Sequence, residues 1–150
     1  MVSVNNMNEL TKEFWDKYFH RFHEHIFMDP VHEHESSYIG SGCPPIETEY
    51  GWLMIYHGAR ESKKGIIYSA CAAALLDLEN PSMVITRLPY PLFEPEYSWE
   101  KKEGVNNMVF PTGTALFGDT LFIYYGAADE HIACASVSLS KLIAELISSW

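Results

Sequence analysis

The sequence predicts an all-β domain that carries a helix at each end and repeats one strand–turn–strand unit. Short apolar runs alternate with turns rich in Gly, Pro and Asn from residue 51 onward, as in a series of short strands. Apolar residues at helical spacing are confined to the two ends of the chain. One run, residues 51–59, has a second copy at residues 118–127. These observations favour a repeated antiparallel array.

The N-terminal helix is predicted by large apolar side chains at every fourth position. These are Leu10, Phe14, Tyr18, Phe22 and Ile26, and the stripe is widened by Trp15, Phe19 and Phe27. Asn8 is the predicted N-cap, because its side chain can accept from the first free amides. Pro30 should end the helix. Residues 1–29 are therefore expected to be a helical lead-in.

The strands are predicted from apolar runs that glycines and polar turns separate. The runs are "GWLMIYHG", "GIIYSACAAALLDL", a short stretch of "ENPSMVITRLPYPLFEPE", "GVNNMVFPTG" and "GDTLFIYYGAADEHIACASVSL". The second run ends Ala-rich and could be helical, but β-branched and aromatic residues lead it, so a strand is favoured. Glu47 and Glu49 are expected in a solvated loop. The final run, "LSKLIAELISSW", predicts a short helix.

The internal repeat gives the clearest architectural signal. "GWLMIYHGA" and "GDTLFIYYGA" share Leu-x-Ile-Tyr-aromatic-Gly-Ala, with Ile55 and Ile123 separated by 68 positions. This alignment places His57 opposite Tyr125. Repetition of one antiparallel unit is typical of radial or solenoid arrays. Two copies do not close a ring, so the chain is expected to be part of a larger array.

Composition limits the class of protein. The 150 residues fit one domain, and a net charge of −10 argues against nucleic acid, since phosphates must be neutralised by Lys and Arg. Cys43, Cys71 and Cys134 lack metal-ligand spacing and are expected to be small buried residues in a reducing compartment. No signal peptide or membrane span is apparent in the sequence, and a cytoplasmic location is predicted.

Five histidines near the N-terminus raise the question of a metal site. They are His20, His23, His25, His32 and His34, and they lie among acidic residues. Imidazole and carboxylate groups bind divalent metals, but no tight ligand spacing is present. A solvated polar surface is the default interpretation, and no metal or cofactor is predicted.

Four segments together carry a family resemblance. "IGSGCPPIETEYGWLMIYHG", "LLDLENPSMVITRLPYPLFEPE", "NNMVFPTG" and "GDTLFIYYGAADEHIACA", in this order, resemble the C-terminal half of glycoside hydrolase family 130, which comprises mannoside phosphorylases and related hydrolases. The resemblance implies that residues 1–150 form one partial five-bladed β-propeller, with residues 38–150 as its C-terminal blades. The helical lead-in matches the family poorly.

The resemblance also implies an activity and its residues. Similar proteins cleave β-1,4-mannosides by inverting phosphorolysis, releasing mannose 1-phosphate with inorganic phosphate as co-substrate. It implies that His57 contacts phosphate, that Tyr68 lines the sugar subsites and that Asp129 binds sugar hydroxyls. Considered alone, these side chains fit a core histidine, a strand tyrosine and a turn aspartate.

Several alternatives stay open at this stage. The family's general acid lies in its N-terminal half, so no catalytic residue is expected in this chain and its status as an enzyme is undecided. Tyr38 stands where the phosphorylases often carry lysine, which keeps β-mannoside hydrolysis as an alternative. A non-catalytic carbohydrate-binding module is a second alternative, and a metal-binding helical domain a weaker third. The expected partners are a β-mannoside or mannooligosaccharide and, through open strand edges, further copies of the chain.

Overall fold

The computed structural model describes Val2 and residues 4–62, 67–101 and 107–149, and it consists mostly of β-strands with two α-helices. The strands are β1 (Tyr38–Ser41), β2 (Ile46–Thr48), β3 (Gly51–Glu61), β4 (Ile67–Leu76), β5 (Val84–Arg87), β6 (Asn107–Phe117), β7 (Thr120–Ala127) and β8 (His131–Ser138). The helices are α1 (Lys12–His20) and α2 (Leu139–Ser148). In these ranges, no helix is long and apolar enough to cross a membrane.

The strands form one open mixed sheet in the order β1-β3-β4-β6-β7-β8, with β2 added beside β3 and β5 beside β4. All pairs are antiparallel except β4 and β6, which run parallel where Tyr68 pairs with Asn107 and Ser69 with Met108. This short junction joins a first half-sheet (β1–β5) to a second half-sheet (β6–β8). The predicted β-rich class is confirmed, and the Ala-rich run is strand β4, as expected.

The main core lies between the two half-sheets. It contains Leu53 and Ile55 from β3, Leu121 and Ile123 from β7, and three residues of α2, namely Leu142, Ile143 and Leu146. Complete burial of a Leu or Ile side chain contributes about 1.5–3 kcal/mol. Alternate residues of β3 point the other way into a smaller cluster around Met54 and Tyr56. Successive strand residues face opposite sides, so β3 is buried on both faces.

The N-terminal helix is shorter than predicted. Thr11, not Asn8, is its N-cap, and the Thr11 hydroxyl accepts a hydrogen bond from the Phe14 amide at 3.2 Å. Asn8 lies inside a preceding 3₁₀ turn, Met7–Glu9, and the helix ends at His20, well before Pro30. A second 3₁₀ turn, Phe22–His25, follows. No residue of α1 is buried, so its aromatic stripe does not join the core.

Helix α2 has the position and the apolar face that the sequence predicts. The Ser138 hydroxyl accepts from the Lys141 amide at 3.2 Å and donates to Asp119 at 2.6 Å. Asp119 also accepts from the Ser140 amide at 2.8 Å, so the turn before β7 anchors the start of α2. These hydrogen bonds satisfy amides that an isolated helix would leave free.

Two local predictions are wrong. Glu47 lies in strand β2 opposite Trp52, not in a loop, whereas Glu49 does lie in the following turn. Cys43 and Cys71 are buried, as expected, but Cys134 is exposed because it lies on the outward face of the edge strand β8. All three thiols are free.

Candidate functional site

His57 lies in the middle of strand β3, whereas the sequence suggested a strand end. It pairs with Gly40 of β1 on one side and Cys71 of β4 on the other. Only 4% of His57 is exposed. The imidazole is therefore held by a strand with neighbours on both sides, which fixes its position.

Gly40 lacks a side chain that would clash with the His57 imidazole. A Cβ atom at Gly40 would lie 2.1 Å from Cε1 and 2.3 Å from Nε2 of His57. At Gly42 a Cβ would lie 2.6 Å from the Ile55 carbonyl oxygen. A side chain at either position would displace the His57 ring or the backbone of β3. The two glycines of the segment Ile-Gly-Ser-Gly are therefore required beside β3.

Two aromatic side chains pack on the His57 ring, and both are partly exposed. The ring centroid of Phe110 lies 4.2 Å away, and that of Tyr38 lies 6.0 Å away in an edge-on arrangement. Phe110 is 38% exposed and Tyr38 41%. His57 thus lies just beneath the surface, where β1 of the first half-sheet meets β6 of the second.

The surroundings of His57 favour a neutral imidazole, and one of its ring nitrogens has no hydrogen-bond partner. Burial lowers its pKa, and a hydrogen bond with the Ser41 backbone opposes this only in part. The imidazole is therefore neutral at pH 7, with one donor and one acceptor nitrogen. The buried Nδ1 atom has no hydrogen-bond partner. An unpaired buried polar atom is costly and calls for a functional or structural reason.

Asp129 lies in the exposed turn between β7 and β8. Ala128 and Asp129 have φ angles of 50° and 58°, in the left-handed region that residues other than glycine rarely adopt. The turn is held in place because the Ala128 amide donates to the Met108 carbonyl at 3.0 Å. Strain of this kind is frequent at functional sites.

Tyr68 lies at the same end of the sheet as this turn. Its backbone pairs with Arg60 on β3 and Asn107 on β6, and the next residue of β6 accepts the Ala128 amide. The side chain of Tyr68 lies outside the part of the chain that the structure describes. The fold thus brings the backbone of Tyr68 and the turn of Asp129 to the two sides of the first residues of β6.

Sequence reasoning missed a buried carboxylate behind His57. Glu35, fully buried, accepts the hydroxyl of Tyr56 and the amides of Val31 (2.9 Å) and His32 (3.2 Å). Arg87 lies 3.2 Å from the same carboxylate. Burial alone would raise the pKa of Glu35, but these hydrogen bonds and the Arg87 charge together lower it. The residue before His57 is therefore locked in place.

A second carboxylate repeats this arrangement in the other half-sheet. Glu100, 2% exposed, accepts the amides of Glu96 (2.7 Å) and Tyr97 (2.9 Å) and the hydroxyl of Tyr125 (2.7 Å). Both carboxylates end a 3₁₀ turn, Glu33–Glu35 or Ser98–Glu100. A sequence signal for both was available, since "DPVHEHE" and "EPEYSWE" share acid-Pro-x-x-x-x-Glu.

These tyrosine–glutamate pairs do not follow the register of the internal repeat. The sequence alignment placed Tyr56 beside Tyr124 and His57 beside Tyr125, but the residue that repeats the role of Tyr56 is Tyr125. Tyr124 is instead 44% exposed. Leu53 and Ile55 of β3 lie in the main core, as do the residues aligned with them, Leu121 and Ile123 of β7. The alignment therefore keeps the same face inward in both copies, and the two tyrosine–glutamate pairs lie on opposite faces. Tyr125, which is aligned with His57, is bonded to Glu100 and so has a different role.

The histidine-rich N-terminal region does not assemble a metal-binding cluster. Among the described residues, no group of three or more His, Cys, Asp or Glu side chains is placed to hold an ion. The expectation of a solvated surface is wrong for His34, which is 4% exposed beside Glu35, with 3.8 Å between Nε2 and the carboxylate. Burial lowers the pKa of His34.

Comparison with known proteins identifies a family that the chain resembles over most of its length. Residues 14–147 match the β-1,4-mannooligosaccharide phosphorylase family, glycoside hydrolase family 130. The chain is 39% identical over 83% of its length to a β-1,2-mannobiose phosphorylase of Listeria innocua, covering 34% of that protein. It is 38% identical over 81% of its length to a β-1,4-mannooligosaccharide phosphorylase of Ruminococcus albus, covering 36% of it.

Superposition on solved structures indicates the same family. A solved structure of the Listeria innocua enzyme with β-1,2-mannobiose superposes with a TM-score of 0.70 at 37% identity, over 80% of this chain and 33% of that one. A solved member of the family described as targeting β-1,2-mannosidic linkages in Candida mannan gives a TM-score of 0.62 at 28% identity, over 75% of this chain and 33% of that one. The chain spans about a third of the length of the relatives it matches. The chain belongs to glycoside hydrolase family 130.

Proposed function

We propose that this chain forms part of a β-mannoside phosphorylase and supplies contacts to phosphate and sugar. In the reaction, a phosphate oxygen attacks the anomeric carbon of the mannosyl unit from the face opposite the leaving group. The glycosidic C–O bond breaks, a general acid protonates the leaving oxygen, and mannose 1-phosphate of inverted configuration forms. No cofactor is needed for this chemistry. The β-1,4 linkage is one candidate and β-1,2 the other, since the relatives include enzymes of both kinds.

The position of His57 is the observation that supports this proposal most strongly. Its ring is fixed by β1 and β3, its buried Nδ1 atom has no partner, and Phe110 and Tyr38 cover it at the surface. A sugar hydroxyl, or the hydroxyl of hydrogen phosphate, that displaces one of these rings would donate a hydrogen bond to the preorganised Nδ1 atom, because the other ring nitrogen donates to the Ser41 backbone. Such a fixed polar group costs little reorganisation when the ligand binds.

Asp129 and Tyr68 are the proposed sugar contacts. A carboxylate accepts two hydroxyl hydrogens at once, which suits adjacent hydroxyls of a pyranose. Asp129 is exposed and its turn is anchored to β6, so its carboxylate is available at a defined place. Tyr68 is the second residue of β4, the strand beside β6, and its aromatic ring would pack on the C–H face of the sugar.

We further propose that the two half-sheets are neighbouring blades of a five-bladed propeller. Each contains an antiparallel hairpin, and each is preceded by a turn whose buried glutamate bonds a tyrosine of that hairpin. A shared unit that is repeated along the chain supports radial repetition.

Hydrolysis is the alternative that a specific observation favours. Tyr38 stands at the position before the Ile-Gly-x-Gly segment where the family resemblance implies a lysine in the phosphorylases, and its ring lies 6.0 Å from that of His57. A tyrosine hydroxyl attracts a phosphate dianion less than an ammonium group does. Water would then take the place of phosphate. A sugar-binding module without catalysis would keep Asp129 and Tyr68 but release no product.

A chimera tests the proposal. The segment of the Listeria innocua phosphorylase that matches this chain is replaced by residues 14–147, and product is measured with β-1,2- and β-1,4-mannobiose in the presence of phosphate. Release of mannose 1-phosphate that is lost on His57→Phe is expected. Release of free mannose alone would establish hydrolysis, and a folded chimera that binds sugar without turnover would establish the binding module.

A further inference from the structure

Two aromatic rings form an exposed shelf next to the turn of Asp129. Tyr97 and Trp99 stack with ring centroids 5.5 Å apart and an interplanar angle of 5°. Tyr97 is 57% exposed and Trp99 37%. Large aromatic surfaces are normally buried in a domain with an ample core, so two stacked rings in solvent call for an explanation.

The shelf is held rigidly from below. Glu100 accepts the Tyr97 amide at 2.9 Å and the Tyr125 hydroxyl at 2.7 Å. The ring of Trp99 also stacks over that of Tyr125, 6.4 Å away at 22°. A buried carboxylate and a buried strand residue thus fix both rings before any ligand arrives. Preorganisation of this kind reduces the entropy lost on binding.

The shelf lies beside a strained turn that carries an exposed carboxylate. The ring of Trp99 meets that of His131 edge-on at 6.3 Å, and His131 begins β8 opposite Ala127. Asp129 lies two residues before His131, in the left-handed part of the turn. Aromatic surface and carboxylate therefore adjoin at one end of the second half-sheet.

This pairing matches the chemistry of a pyranose. The C–H face of a sugar packs on an aromatic ring, and its hydroxyls donate to a carboxylate. We propose that Tyr97 and Trp99 bind a mannosyl unit of a β-mannooligosaccharide whose neighbouring unit is held by Asp129. The inference rests on the proposed function and extends it, because it makes the site favour longer chains over mannobiose.

Calorimetric titration of the intact 150-residue chain with β-mannobiose, mannotriose and mannotetraose tests the shelf. The affinity is expected to rise with chain length, and Tyr97→Ala is expected to remove that rise, lowering the affinity for mannotetraose about fivefold to tenfold. Tyr50→Ala is the matched control, since Tyr50 is 51% exposed at the opposite end of β3. This control should leave all three affinities unchanged.

A fluorescence titration supplies a second readout that does not depend on the stability of a variant. Mannotetraose should change the tryptophan emission of the wild-type chain, and Trp99→Phe should abolish the change while retaining an aromatic ring. Binding of mannobiose without any gain from longer chains, or an unchanged signal in Trp99→Phe, would overturn the shelf and leave the proposed function standing. Failure of every β-mannoside to bind would overturn both.

Discussion

The two half-sheets contain the same hairpin and the same buried tyrosine–glutamate pair, yet only one of them is covered on both faces. The face of the first half-sheet that carries Met54 and Tyr56 lies under Phe27, Met28 and Ile39. The outward face of the second carries Phe117 (70% exposed), Tyr124 (44%) and Ile132 (87%). The first half-sheet therefore has a core on each side, and the second has one core and a bare apolar face.

The difference shows which half-sheet is covered on both faces and which one leaves an apolar face open to a partner. A tyrosine hydroxyl bonded to a buried carboxylate fixes each hairpin to the turn before it. Beyond that, the second half-sheet has β8 as an open edge and an apolar surface next to it. Free edges and exposed apolar patches are where chains associate.

The largest expected effect comes from breaking the pair in the covered half-sheet. Glu35→Gln should lower the free energy of unfolding by about 3–5 kcal/mol, because it leaves Arg87 near a neutral side chain in a buried site. Urea denaturation followed by circular dichroism measures this. The control is Glu94→Gln, whose partner Arg60 lies 3.7 Å away on a half-exposed surface, and it should cost at most about 1 kcal/mol. Equal losses in both variants would contradict the assigned role of Glu35.

Removal of a hydroxyl in the second half-sheet should have a smaller effect. Tyr125→Phe leaves one oxygen of the buried Glu100 without a donor and should cost about 1–3 kcal/mol in the same denaturation experiment. Tyr124→Phe is the matched control, because Tyr124 is the neighbouring tyrosine on the exposed face. A loss in Tyr124→Phe as large as in Tyr125→Phe would contradict the assignment of Tyr125 to the buried pair.

We propose that a second copy of the chain covers the bare face. Ile132→Lys, which places a charge at the most exposed of these three apolar side chains, should weaken self-association about tenfold or more in light scattering. Met83→Lys introduces the same charge at a 57% exposed site outside the strands and should leave association unchanged. A sharp monomeric peak for the wild-type chain at high concentration would contradict the proposal.

A pH dependence of stability is also expected, because two histidines are buried as neutral rings. Burial lowers the pKa of both His34 and His57 in the folded chain, so below the ordinary histidine pKa of about 6.5 the unfolded state binds protons that the folded state does not. Stability should therefore fall as pH drops from about 7 to 5, by at most about 1.4 kcal/mol per pH unit for each histidine. His57→Phe should reduce the slope, and an unchanged slope would contradict the burial of a neutral imidazole.

The sequence predicted the elements whose signal is local. Strands β3 and β7 were identified by apolar runs between glycines, and α2 by its helical spacing. The start of α1 was misplaced because Asn8 and Thr11 are both favourable N-cap residues. The sequence does not show which of them lies beside the free amides of the first helical turn.

The site was predictable only in part. His57 stood out by its residue type, but its cover by Phe110 depends on the contact between two half-sheets that are distant in sequence. Glu35 and Glu100 were missed because an isolated glutamate in a polar stretch normally faces solvent. The two tyrosine–glutamate pairs lie on opposite faces of the aligned strands, which the sequence could not reveal because it depends on the face against which each glutamate packs.

The most direct test of the central claim is calorimetric titration of the chain with inorganic phosphate and β-mannobiose. The wild-type chain is expected to bind both. His57→Phe, which keeps a ring but removes both nitrogens, should abolish phosphate binding, whereas His57→Asn, which retains a hydrogen-bond acceptor near the position of Nδ1, should restore part of it. Phosphate binding that is equal in the wild-type chain and in His57→Phe would contradict the assignment of this histidine to the phosphate site.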